Sequence, residues 1–114
     1  TAPAAPNSAA LPGEISVAEA RALYDQGVFL LDVREPDEWN ATHIPNTTLI
    51  PLGQLAGRVN ELPKDKPIVV VCRSGNRSQQ GRDILLGAGF TNVTSMAGGV
   101  NAWAGSGYPT ATGP

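Results

Sequence analysis

The stretch VVVCRSGNRSQQGRDILL, Val69–Leu86, passes from an unbroken apolar run to a single thiol and then to arginine, serine, glycine and asparagine. A valine-rich run of this kind, extended back to Ile68, suits a strand buried on both faces. The second half reads as a helix from about Ser78 to Leu86. Arg73–Arg77 is left as a tight connection, in which Gly75 supplies a positive φ and Asn76 tolerates one better than most residues. Such a loop turns backbone N–H groups inward and forms an anion cradle at a helix N-terminus.

The same alternation continues on both sides. Glu14–Ser16 opens a short strand, and SVAE makes Ser16 an N-cap with Glu19 three residues on, the capping-box spacing. Ala20, Leu23 and Tyr24 follow at helical intervals until Gly27. VFLLDV, Val28–Val33, is a second strand, apolar apart from Asp32. Pro36 suits a first helical turn, with Asp37 and Glu38 placing negative charge at its positive end. TTLIP is a short strand, and Leu52, Leu55, Val59 and Leu62 mark a helix that Pro63 stops. Val93–Met96 is the last strand and GGVNAWAG the last helix. Strands alternating with helices give an α/β domain with a largely parallel sheet. Parallel strands finish at one rim, so Asp32, Arg34, the Cys72 loop and the MAGG stretch meet at the edge where ligands usually bind.

A chain of 114 residues has room for one domain. The boundaries predicted are an Ala/Pro-rich lead-in over residues 1–12, the domain over 13–110 and a tail over 111–114. The lead-in has no initial methionine and no apolar signal core. It is compatible with a removed export signal, a membrane anchor or an interdomain linker, which leaves the compartment open. VFLL and IVVVC are too short to span a bilayer. The net charge of −2, with basic residues scattered along the chain, offers no face for a nucleic-acid backbone. A lone cysteine excludes an internal disulfide and has no nearby cysteine for a metal site or a two-thiol redox pair.

A lone cysteine after a valine run is by default a small buried hydrophobe. The adjoining RSGNRS argues for chemistry instead. Lowering a thiol pKa from about 8.5 to about 6.5 requires roughly 2.7 kcal/mol of preference for the thiolate. Hydrogen bonds to a charged acceptor contribute about 1.5–3 kcal/mol each and a helix terminus about 0.3–1. Two inward N–H groups suffice, leaving Arg73 and Arg77 free to attract an anionic substrate.

LLDVREPDEW (Leu30–Trp39), THIPNT (Thr42–Thr47), IVVVCRSGNRS (Ile68–Ser78) and GFTNVTSMAGGVNAW (Gly89–Trp103), in this order, resemble the single-domain rhodaneses, or thiosulfate sulfurtransferases. The resemblance implies a three-layer fold of about five strands with helices on both faces. It also implies ping-pong sulfur transfer from thiosulfate or a related donor to cyanide or a thiol through a persulfide on Cys72. Arg73, Ser74, Gly75, Asn76, Arg77 and Ser78 would then hold the anionic substrate, and Asp32 and Arg34 would brace the active-site loop. An acceptor protein is a possible partner.

Two rival readings remain. Cysteine-dependent phosphatases and arsenate reductases commonly place five residues between cysteine and arginine, whereas Cys72 and Arg77 are separated by four. One residue fewer removes a Cα step of about 3.8 Å, so the ring is expected to suit a persulfide sulfur rather than a phosphoryl group. The other rival is a non-enzymatic persulfide carrier or binding module serving a partner protein.

The remaining polar residues read as structural. His43 is the only histidine, and a thiolate already held by a cradle has no proton to give it; the matching family position belongs to a turn. The family usually has glycine where Thr42 and Asn46 stand and alanine at Gly81. Asn46 can adopt a left-handed backbone, and Gly81 weakens its helix by up to about 1 kcal/mol relative to alanine. Ser74 and Ser78 can donate to a bound anion, with a helix cap the alternative for Ser78. Trp39 and Trp103 are packing residues. The N-x-S/T sequons at Asn40, Asn46, Asn76 and Asn92 read as coincidental, since a glycan on Asn76 would block the cradle.

Overall fold

The computed structural model describes residues 11–114. The predicted lead-in therefore falls, for residues 1–10, outside the described residues. Five parallel strands form one sheet in the order β1-β5-β4-β2-β3. They are β1 (Glu14–Ile15), β2 (Phe29–Asp32), β3 (Thr48–Leu49), β4 (Ile68–Val71) and β5 (Val93–Met96). The helices are α1 (Val17–Asp25), α2 (Pro36–Ala41), α3 (Leu52–Arg58, continued by a 3₁₀ turn), α4 (Arg77–Gly87) and α5 (Gly99–Gly105). No helix among the described residues is long and apolar enough to cross a membrane.

Side-chain alternation divides the core into two layers. Leu30, Val69, Val71 and Met96 face α1 and α5, packing with Ala20, Val100 and Trp103. Leu31, Ile68, Val70 and Val93 face α3 and α4, packing with Leu55 and Leu85, and Cys72 belongs to this second cluster. β4 is apolar throughout and β2 is apolar up to its last residue, Asp32, because each is covered on both faces. The outermost strands, β1 and β3, are two residues each, too short to recruit another chain readily.

The local signals act where the sequence places them. Ser16 caps α1 in a reciprocal capping box with Glu19, and Pro36 opens α2. Asn46 adopts φ 61°, the only non-glycine residue described with a positive φ. Thr42 is extended at φ −163°, a conformation open to any residue, so the turn does not require glycine there. Trp103 is fully buried and donates its indole N–H to the Pro109 carbonyl at 2.7 Å.

One boundary differs from expectation. The helix after the cysteine begins at Arg77 rather than Ser78, because Asn76 already has helical dihedrals and acts as N-cap without a side-chain bond. Residues 111–114, expected as the C-terminal tail, contact the turn after α2. Ala111 exchanges backbone hydrogen bonds with His43 at 2.9 and 2.8 Å, and Gly113 N–H reaches the Asn40 carbonyl at 2.7 Å. Pairing with the turn after α2 satisfies these backbone groups.

Candidate active site

Parallel strands bring three chain segments to one rim: Asp32 at the end of β2, Cys72 after β4, and Ala97–Gly99 after β5. The loop from Arg73 to Asn76 turns over the sulfur. Gly75 sits at φ 109° and directs its N–H onto Cys72 Sγ at 3.0 Å. A side chain at Gly75 would sit strained and press on the Gly98 nitrogen at 3.1 Å. The Gln79 amide fastens the far side by donating to the Gly75 carbonyl at 3.1 Å.

The start of α5 forms the floor. Val100 and Asn101 donate backbone N–H groups to the carbonyls of Cys72 and Arg73, at 2.8 and 3.1 Å. Gly99 makes this approach possible, since a Cβ there would collide with the Cys72 carbonyl oxygen. With its carbonyls held from behind, the Cys72–Asn76 backbone is left to present N–H groups to the sulfur.

Cys72 is 1% exposed. Burial pushes its thiol up, but the Ser78 hydroxyl and the backbone N–H groups of Ser78, Gly75 and Ser74 outweigh it. The thiol lies below its ordinary value of 9.0. Three amides and a hydroxyl converging on one sulfur favour its anionic form. Ser78 is therefore no helix cap; its Oγ is 3.6 Å from Sγ and 2.7 Å from Ser95 Oγ.

The two arginines have different situations. Arg73 is exposed and pairs with no carboxylate among the described residues. The expectation that Arg77 stands equally free is corrected: Glu38 of α2 holds both its terminal nitrogens, at 2.7 and 2.8 Å. The Arg77 hydrogen bonds hold the Glu38 carboxyl down to about 2. Sequence reading treats Glu38 only as a helix-dipole charge, and 39 residues separate the partners. No local pattern in the sequence links the two residues.

Asp32 and Arg34 are buried, at 2% and 4% exposed, and form a bidentate pair with its shortest contact at 2.8 Å. Arg34 also donates to the Thr42 carbonyl at 2.7 Å. Their contacts tie β2 to the end of α2 rather than to the cysteine loop itself, and Glu38 carries the connection onward to Arg77. His43 stacks flat on Trp39 with centroids 3.9 Å apart, and its Nδ1 lies 2.9 Å from the Trp39 carbonyl. Both rings serve the turn after α2. Ser95, whose hydroxyl meets that of Ser78, is a contact that sequence reading misses. Its signal is two adjacent hydroxyl residues, Thr94 and Ser95, in a fully buried strand, where polar groups need partners.

Residues 16–106 match the family profile described as Rhodanese-like domain. The chain is 41% identical over 85 residues to a thiosulfate sulfurtransferase GlpE of Pseudomonas syringae pv. syringae, covering 75% of this chain and 80% of the relative. It is 38% identical over 84 residues to a sulfurtransferase of Allochromatium vinosum, covering 74% and 78%. The crystal structure of a rhodanese-related protein from Thermoplasma volcanium superposes with a TM-score of 0.80 at 32% identity, covering 88% of this chain and 98% of that one.

Proposed function

Since the chain belongs to the rhodanese family of sulfurtransferases, we propose that it moves a sulfane sulfur from thiosulfate or a related anionic donor to cyanide or a thiol through a persulfide on Cys72. The observation that carries this reading is the Gly75 N–H at 3.0 Å from Sγ, with Ser74, Ser78 and the Ser78 hydroxyl directed to the same atom.

The Cys72 thiolate attacks the outer sulfur of thiosulfate. The S–S bond of the donor breaks and sulfite leaves with its electron pair. The enzyme then holds Cys72–S–S⁻, with its charge on the outer sulfur; thiolate, donor and persulfide are all anionic, so the ring of N–H groups favours each stage. Attack by cyanide or a thiolate on the terminal sulfur forms the new bond and returns the electron pair to Cys72. Burial of Sγ gives the intermediate a geometric use: the added sulfur lies about 2 Å beyond the first, at the mouth of the ring, where a bulkier acceptor can reach it.

Arg73, exposed on the loop, attracts the donor, while Arg77 adds a field partly cancelled by Glu38. Intact-mass measurement after thiosulfate treatment tests the proposal. Wild type should gain one sulfur atom and Cys72→Ser none; equal gain by both would refute it. Thiocyanate release with cyanide, compared with transfer to protein thiols, separates an enzyme from a dedicated carrier. Turnover of p-nitrophenyl phosphate comparable to thiosulfate would favour the phosphatase reading.

A further inference from the structure

Ser78 and Ser95 are both fully buried and come from different elements, α4 and β5, yet their hydroxyl oxygens are 2.7 Å apart. Ser95 does not touch the sulfur; Ser78 stands between, 3.6 Å from Sγ. A serine hydroxyl has one proton and two acceptor lone pairs, so a head-to-tail chain through the three groups has two directions. With a neutral thiol, S–H donates to Ser78 and Ser78 donates to Ser95. With a thiolate, Ser95 donates to Ser78 and the Ser78 proton points at sulfur.

The second direction ends on an anion. Hydrogen bonds to charged acceptors are about twice as strong as neutral ones, and a chain of bonds polarises towards its charged end. A second hydroxyl behind Ser78 therefore favours the ionised state more than the neutral one. The placement is set by close packing. Gly81 lies one turn beyond Ser78 on the same helix face, and a Cβ there would be 3.0 Å from Val70 Cγ1. Its absence lets α4 settle onto the sheet deeply enough for Ser78 to reach β5.

We infer that Ser95 is a positioning residue for sulfur transfer, a buried donor that fixes the direction of the Ser78 hydroxyl and so keeps its proton on the Cys72 thiolate. This rests on the persulfide reading above but is tested apart from it. The charged groups around the sulfur are Arg73 on the loop, Arg77 paired with Glu38 of α2, and the Asp32–Arg34 pair after β2. None is altered by the substitutions.

The test is the pH dependence of Cys72 alkylation by iodoacetamide in the whole protein, with a melting curve for each variant. Ser78→Ala should raise the titration midpoint by about 1, and Ser95→Ala by about 0.5. The double variant should match Ser78→Ala alone, because Ser95 acts only through Ser78. Ser95→Thr, which keeps the hydroxyl, should stay at the wild-type midpoint. Thr94→Val removes a buried hydroxyl without a partner from the same strand and should leave the midpoint in place.

An unmoved midpoint in Ser95→Ala, additive shifts in the double variant, or an equal shift in Ser95→Thr or Thr94→Val would overturn the positioning role. A wild-type midpoint at the ordinary thiol value would instead overturn the activated-sulfur reading.

Discussion

Gly75 shows how one residue can set the chemistry of another. Its φ of 109° is what aims an N–H at Sγ, and an L side chain disfavours that region by about 1–2 kcal/mol. Gly75→Ala should lower stability by about that amount and raise the pH at which Cys72 alkylates; unchanged alkylation would show that the amide is dispensable. Glu38 offers a pH-dependent case. Its carboxyl titrates near 4.5 when unfolded and, held by Arg77, at about 2 when folded, so the native state binds fewer protons between those values. Its stabilisation is complete above 4.5 and disappears as pH falls through about 2. Glu38→Gln should flatten this acid limb in urea titrations, by about 1 kcal/mol or less because the pair is partly exposed. Freeing Arg77 should also lower the KM for thiosulfate.

At the scale of elements, α4 is where helix propensity and packing conflict. Gly81 weakens the helix by up to about 1 kcal/mol relative to alanine, yet an added Cβ would meet Val70 Cγ1 at 3.0 Å and Val33 Cγ1 at 3.3 Å. Overpacking of this kind costs about 1–3 kcal/mol, so packing should win. Gly81→Ala should melt lower than wild type, and by lifting α4 from the sheet it should also weaken the Ser78–Ser95 contact. A higher melting temperature would show that propensity dominates. The element boundaries were legible because their signals are local, as with Ser16 and Glu19 at α1 or Pro36 at α2. The one-residue shift at α4 arises because Asn76 takes helical dihedrals without a side-chain cap.

For the whole molecule, ion pairs carry the connection from sheet to loop. Asp32 binds Arg34, Arg34 holds the Thr42 carbonyl, and Glu38 of the intervening helix grips Arg77 at the start of α4. Asp32→Ala leaves Arg34 buried without its carboxylate, a change that typically costs about 3–5 kcal/mol. The melting temperature should fall steeply and sulfur loading with it. If neither moves, the bracing role is wrong. The C-terminal residues join the same turn through His43–Ala111 and Asn40–Gly113 bonds, so removing residues 111–114 removes these bonds.

The sequence by itself determined the α/β alternation, the parallel sheet and the position of the thiol at the strand-end rim, because periodicity, capping and turn chemistry act over a few neighbouring residues. It also marked Gly75 as the residue able to turn an amide onto the sulfur. Only the tertiary structure decided that Arg77 is occupied by Glu38, that Asp32 and Arg34 secure α2, and that Ser95 stands behind Ser78. Those pairings join groups far apart in the chain, and their existence depends on how closely helices settle on the sheet, a distance set by packing rather than by local pattern.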